Sequence, residues 1–555
     1  MILKEPTMDR IEHRRLSVWA GLLVGALITA PLLALFALGA ALLRFPLIPT
    51  DLVDWMARTL PGNVITAGID FMKSLIVGFQ LGRTDVVAKL IEQAFGYAML
   101  FGLGVITTAA VYRLLNGSLD RQRINLYTLG SGALLGVIAV LIHLSLPFPS
   151  TVDPLLRAIW IIALFLGWGA AMGWIYYDLT RLPVVKSETA SAQQLDRREF
   201  LVRIGGATAT LTVLGGGLSL LMTPREESVD SDTISAPPPT PEPIVSIDNP
   251  GDPTLEAAPG TRPEYTPLDQ HYRIDISTFP PNIDGTTWTL PITGLVGNAL
   301  NLTLKEIRDN YPARDLIITM SCISNEIGGD LISTTRWTGT PLKGILEQLA
   351  IQPEGRFLKI TAADGFDEYL DLAIPMNDES VILCYDWDGQ PLKQKHGFPL
   401  RIHIPNLYGM KQPKWITAME VVDEWREGYW VRRGWSRDAV VRTTSVVDTV
   451  ATNGVYERDG QTFVPVGGIA YAAVRGIVRV EVSVNNEPWQ EAQLRAPLSD
   501  RSWVIWRYDW PFSAGRHTFR VRAVDGTNDP QIESREGVRP DGATGIHERA
   551  ANLEA

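Results

Sequence analysis

Apolar residues run in long blocks through the first ~220 residues of this chain and alternate with polar ones beyond. Five blocks, Ser17–Leu43, Ile91–Leu115, Asn125–Leu146, Pro154–Leu179 and Phe200–Met222, approach the roughly 20 apolar residues that cross a hydrocarbon core, and predict transmembrane helices. A further stretch, Val64–Phe79, is read as an interfacial or re-entrant helix rather than a sixth span. Basic residues orient the spans. Lys4, Arg10, Arg14 and Arg15 precede the first; Arg113, Arg121 and Arg123 lie between the second and third; Arg181, Lys186, Arg197 and Arg198 lie between the fourth and fifth. The loop Pro147–Asp153 has neither Lys nor Arg. This pattern predicts a multi-pass cell-membrane protein with its N-terminus inside and its C-terminal part outside. A sixth span would reverse the side.

The entrance to the fifth block, Asp196-Arg197-Arg198-Glu199-Phe200-Leu201, leads into a Gly/Ala/Thr-rich apolar run. It resembles a twin-arginine signal, which is read by a pathway that exports folded proteins. No small-residue cleavage site is evident after it, so the block is expected to stay as an anchor.

Downstream, residues 224–267 are rich in Pro, Asp, Glu, Ser and Thr, including Ala236-Pro237-Pro238-Pro239. That composition favours an extended stalk. From 268 to 422 strands and helices mix. Thr287–Ile292, Leu316–Thr319, Phe357–Thr361 and Ser380–Tyr385 read as strands. Thr303–Asn310 reads as a helix with Thr303 and Glu306 capping reciprocally, and Pro341–Leu349 as another. From 423 to 530 strands dominate. Val478–Val484 alternates, Asn485-Asn486 turns, and Trp503–Tyr508 and Thr518–Ala523 follow at spacings typical of an immunoglobulin-like sandwich. Residues 531–555 read as a loose polar tail. The expected architecture is therefore multidomain: a membrane domain (1–223), a linker (224–267), an α+β domain (268–422), an all-β sandwich (423–530) and the tail.

Composition narrows the chemistry. The net charge of −11 argues against nucleic acid as a partner. Two cysteines exclude a disulfide framework and are too few for an iron–sulfur cluster or a Cys-rich zinc site, and no Cys-x-x-Cys-His is present. Of the histidines only His143 falls in a span, close to its end, which reads as an interfacial histidine; a bis-His haem would need two. A quinone site stays open.

Cys322 lies in Met320-Ser321-Cys322-Ile323-Ser324-Asn325, after the β-branched run and before Gly328-Gly329 and Trp337-Thr338-Gly339. A strand delivering one thiol to a polar loop suits a core residue, a nucleophile or a metal ligand. Cys384, in Val381-Ile382-Leu383-Cys384-Tyr385, fits a buried strand and reads as core. The segment Lys395–Ile416 places His396 (when protonated), Arg401, Lys411 and Lys414 among apolar and turn residues, with Gly397 and Gly409 permitting close backbone approach. Such cations suit a phosphate-bearing ligand, or belong to the surface of a strand–turn–strand.

Taken together and in order, the cysteine loop, Arg336-Trp337-Thr338-Gly339-Thr340-Pro341-Leu342 and the His396–Trp415 segment resemble the molybdopterin-binding domain of the sulfite oxidase family. The C-terminal part, with Asn486-Glu487-Pro488-Trp489 and Val521-Arg522-Ala523-Val524-Asp525-Gly526, is similar to the family's immunoglobulin-like module. The resemblance implies a molybdenum–molybdopterin cofactor with Cys322 as thiolate ligand to the metal. It also implies that Asn325 supports the cofactor site, while His396, Arg401 and Lys414 contact the pterin and its phosphate. The expected activity is two-electron oxygen-atom transfer on a small molecule, of the sulfite-oxidising or sulfoxide-reducing kind. With no haem or iron–sulfur motif, electrons would pass to or from a separate partner, such as a cytochrome or a quinone-linked protein. The module dimerises many relatives, which leaves a homodimer open here. The alternative from another class is a surface receptor or adhesion protein whose cofactor site has degenerated. Three departures from sulfite oxidases bear on the substrate. Glu326 stands where an arginine is common, His271-Tyr272-Arg273 replaces an Arg-x-His motif, and Trp435 stands where a tyrosine commonly lines the sulfite pocket. A carboxylate near the cysteine disfavours sulfite.

Overall fold

The computed structural model describes residues 16–150, 152–181 and 251–554, with Gly206, Ala209 and Thr212. Arg197, Arg198, most of the fifth apolar block and the Pro-rich run that starts near Pro224 lie outside the described residues. The chain divides into two compact units. One comprises residues 1–59 and 89–227, and the other 60–88 and 228–555.

Four helices of the first unit are long and apolar enough to cross a membrane: α1 (Val18–Leu43), α4 (Thr84–Leu115), α5 (Arg121–Ser145) and α6 (Pro154–Arg181). They coincide with the first four predicted spans. Between α1 and α4 come α2 (Ile48–Thr59) and α3 (Gly62–Gly78). Ser17 caps α1 by accepting from Ala20 N, and Asp120 caps α5 by accepting from Gln122 N. Helices α5 and α6 meet through small residues. A Cβ at Gly132 would stand 2.5 Å from the Phe165 carbonyl oxygen, and one at Gly169 2.5 Å from that of Thr128. His143 is held inside this unit, with Nδ1 2.8 Å from Asp51 Oδ2 and Nε2 3.0 Å from Arg157 Nη1.

In the second unit one sheet orders β2 (Leu300–Thr303), β1 (Thr289–Gly294), β10 (Ile416–Val422), β5 (Phe357–Ala362) and β6 (Asp367–Asp371). Only the β1–β10 pairing is parallel. A second, antiparallel sheet orders β3 (Arg314–Ser321), β4 (Ile332–Pro341), β7 (Ile382–Trp387) and β8 (Gln390–Pro391), with β9 (Arg401–His403) also on β7. The capped helix forms over Leu304–Asn310 with both halves of the capping box in place. Strand alternation divides the second sheet between two cores. Leu383 and Tyr385 face the large core shared with the first sheet, whereas Ile382 and Cys384 face a second cluster with Ile318, Met320 and Cys322. That second face carries the candidate site.

Two further antiparallel sheets follow. One contains β11 (Thr444–Val450), β12 (Tyr456–Arg458), β13 (Gln461–Tyr471), β16 (Gln493–Leu494) and β17 (Val504–Pro511); the other contains β14 (Ile477–Val484), β15 (Gln490–Glu491), β18 (Gly515–Asp525) and β19 (His547–Leu553). Val447, Val466 and Trp506 from the first and Val480, Val482, Phe519 and Val521 from the second share one core. Asn485 and Asn486 both take positive φ, 53° and 63°, after β14, as the turn reading required.

Two expectations change. Residues 531–555, read as a loose tail, contain β19, which pairs with β18 along its length. Their polar composition reflects an edge strand exposed on one side. The later part of the expected stalk, from Gly251, lies on the sandwich: Asp252 N donates to Leu494 O, and Arg262 pairs with Asp448. An extended segment without a core of its own is ordered here by partners distant in sequence.

Candidate active site

Cys322 follows β3 on the inward face, 7% exposed. Its backbone N–H donates to Leu331 O, and its carbonyl accepts from Asn325 N. Sγ lies 3.1 Å from Ser324 Oγ. Burial pushes the thiol up, while the Ser324 hydrogen bonds and the charges of Lys73 and Lys414 favour the thiolate. Cys384 is fully buried on the same face, pushed up to about 12 by burial, and both cysteines are free. Its role in the core stands as expected.

Beside Cys322 the rings of His271, Trp337, Trp387 and His396 form a buried box. Trp337 and Trp387 stack at 5.3 Å, and His396 lies 4.5 Å from Trp387. Arg401, on β9, lies over Trp337 at 4.7 Å and is 5% exposed. Its Nη1 donates to the His396 carbonyl, and its Nη2 lies 3.7 Å from Met320 Sδ. No carboxylate pairs with it among the described residues. A buried guanidinium in this state is strongly unfavourable and calls for an anion. Trp337 Nε1 is likewise buried without a hydrogen-bond partner among the described residues. Neither ring nitrogen of His396 has a protein partner among the described hydrogen bonds. Burial and the nearby cations push His396 and His271 well below the ordinary histidine range, so both rings are neutral at pH 7. Gly397, at φ 115°, completes the cradle; a Cβ there would lie 3.1 Å from that of Arg401 and 3.2 Å from that of Lys414.

The structure thus brings Cys322, His396 and Arg401 to one place. Lys414 is close by, over the Trp415 ring, but its ammonium binds Asp275 at 3.0 Å and is lowered to about 8, chiefly by burial. Asn325 closes the loop, its Oδ1 accepting from Leu331 N. Lys411, another cation of the segment, is taken up by a buried pair with Glu368. Sequence reasoning passed over Tyr272. Its phenol is buried near enough to Cys322 for the two charges to oppose each other, and burial holds it well above the usual tyrosine range. Glu326, read as a carboxylate near the cysteine that disfavours sulfite, meets Lys73 of α3 at 2.9 Å.

This donor set fits a phosphate-bearing cofactor with a thiolate-bound metal, and the comparisons agree. The model of the oxidoreductase molybdopterin binding domain matches residues 277–430. The domain is of the sulfite oxidase family of molybdopterin oxidoreductases. Human mitochondrial sulfite oxidase is 29% identical over 296 residues, 44% of this chain and 53% of its own. The barley (Hordeum vulgare) nitrate reductase [NAD(P)H] is 25% identical over 284 residues, 42% of this chain and 32% of its own. Among solved structures, the sulfane dehydrogenase SoxCD from Paracoccus pantotrophus aligns with 60% of this chain and 96% of its own, at 19% identity and a TM-score of 0.45. The chain spans about half the length of the sulfite oxidases it matches, 53% of the human one. For the molybdopterin domain the implied cofactor is molybdenum–molybdopterin. Of the residues present, Cys322 would hold the metal, and Arg401, His396 and the Trp337 N–H would hold the pterin and its phosphate.

Proposed function

We propose that this chain is a membrane-anchored molybdenum oxidoreductase that carries out oxygen-atom transfer on a small molecule at the outer face of the membrane. The observation that carries the reading is Arg401, a buried cation that pairs with no carboxylate among the described residues, lying over Trp337, which shares a buried cluster with the thiol of Cys322. When bound, the cofactor supplies a metal that exchanges two electrons and an oxygen atom with substrate. The protein's part is positioning and polarity. Neutral His271 and His396 line the pocket without adding charge. Lys414 is locked by Asp275 and so presents a fixed rather than a mobile cation. Tyr272 keeps its proton on Oη and is therefore a hydrogen-bond donor beside the thiolate.

The outer-face placement draws support from residues 60–88. They run from beyond the first candidate span to the start of the second, yet belong to the unit that holds the molybdopterin domain. On this reading both lie on one side, and the basic residues before α1 favour the outside. The C-terminal two-sheet module is read as immunoglobulin-like and a candidate homodimer surface, and electrons go to or come from a separate partner. Molybdenum analysis of the full-length protein purified from a cofactor-competent host tests the core of this. About one metal per chain is expected, with loss in Cys322→Ser while the fold is retained by circular dichroism. Wild-type protein free of molybdenum would sink the reading.

A further inference from the structure

In sequence, Glu326 sets a negative charge close to Cys322 and speaks against an anionic substrate. The fold supplies its countercharge from a distant segment. Lys73 Nζ lies 2.9 Å from Glu326 Oε1 and 3.0 Å from the Ser324 carbonyl. The lysine side chain is 13% exposed and that of the glutamate 47%, so the ammonium occupies the drier position. These bonds use two of its three N–H donors and leave one. Independent contacts hold the segment in place. Arg539 pairs with Asp70 at 2.7 Å, Thr84 N donates to Asp330 Oδ2 at 2.8 Å, and Arg273 N donates to Asp85 Oδ2 at 2.8 Å. Ser324, whose carbonyl Lys73 holds, also places its hydroxyl on Cys322 Sγ. The charge of Lys73 is itself felt at the thiol.

We infer that Lys73, carried by the segment between the first two candidate spans, is a specificity-determining residue of the molybdenum site: it cancels Glu326 and offers its remaining donor to a small inorganic oxyanion. This rests on reading the site as a molybdenum centre. In that arrangement the glutamate no longer repels an anion, and the lysine occupies the electrostatic role that no residue of the cysteine loop fills.

The test uses full-length protein in nanodiscs, assayed for molybdenum and poised to give a Mo(V) electron paramagnetic resonance signal, with sulfate as an unreactive oxyanion. Sulfate is expected to perturb the wild-type signal saturably. Lys73→Met should raise the half-saturating concentration about tenfold or more, and Lys73→Met/Glu326→Gln should return most of that loss, since removal of a like charge compensates for removal of its partner. Lys73→Arg should retain the response. A merely structural lysine would not be rescued by Glu326→Gln. Molybdenum-loaded wild type that ignores sulfate, Lys73→Met with an unchanged response, or a double variant without rescue would each overturn the inference. Absence of molybdenum from the wild type would instead strike at the underlying reading, and this inference would fall with it.

Discussion

Arg401 makes the site's energetics testable one side chain at a time. A guanidinium 5% exposed, lying over Trp337 and paired with no carboxylate among the described residues, is stabilised chiefly by what binds it. In cofactor-free protein, Arg401→Met is expected to raise the thermal midpoint or leave it unchanged, because it removes an uncompensated buried charge. In protein made with cofactor available, the same variant should retain about tenfold less molybdenum, the scale of one lost charge-assisted contact. His403 gives a pH signature. It is fully buried, bonded to Gln412, and lowered to about 3 by burial. Its folded value lies below its unfolded one, so the stability it allows is complete above about pH 6.5 and is lost on acidification towards 3. Between pH 7 and 5 the loss should be about 2 kcal/mol for this group, read as a fall in the denaturant midpoint that is shallower in His403→Gln. Cys322, His396 and Arg401 could be proposed from sequence because each sits in a short motif that resembles the sulfite oxidase family. His271 and Tyr272 were noted only as a departure from a family motif, and Trp387 not at all, because they come to Trp337 and His396 from other segments. Lys73 was further hidden by lying in a stretch read as membrane-associated.

At the scale of elements, β3 does more than deliver the cysteine. Its outer backbone is bonded by the C-terminal sheets: Thr319 O accepts from Tyr471 Oη, Thr319 N donates to Arg501 O, and Thr319 Oγ1 accepts from Trp503 N at 2.8 Å. The same hydroxyl meets Thr334 on β4. Thr319→Val keeps the shape but leaves the buried Trp503 N–H without its acceptor. It should lower unfolding stability by about 2 kcal/mol, measured by denaturant titration. A fall below about 0.5 kcal/mol would show that the strand does not depend on this join. The pattern Leu316–Thr319 announced a strand, and its alternation announced the inward face. Nothing in that run could announce a partner made of residues near Tyr471 and Trp503, since a strand edge carries no side-chain code for what pairs with it.

For the whole molecule, the decisive question is sidedness. With Cys322 and Cys384 both buried, added cysteines can be labelled selectively. Phe79→Cys and Lys305→Cys, at positions 72% and 84% exposed, should react with a membrane-impermeant maleimide in intact cells. Gln122→Cys, just inside α5, should react only after permeabilisation. Labelling of Lys305→Cys that requires permeabilisation would place the molybdopterin domain inside. The four described helices long and apolar enough to span were readable from apolar length alone, because hydrocarbon thickness imposes a single rule on candidate spans. A helix within residues 60–88 was readable, but its place with the C-terminal unit, like the pairing of 547–553 onto β18, was not, because both depend on contacts distant in sequence.

The last strand also bears on timing. A Cβ at Gly328 would stand 2.4 Å from His547 Nε2, so the loop that presents Cys322 is shaped against a residue close to the end of the described chain. A ribosome that has just made the cysteine loop has not yet made the strand against which that loop rests. The cysteine loop therefore takes its final shape only once the strand that begins at His547 has been made.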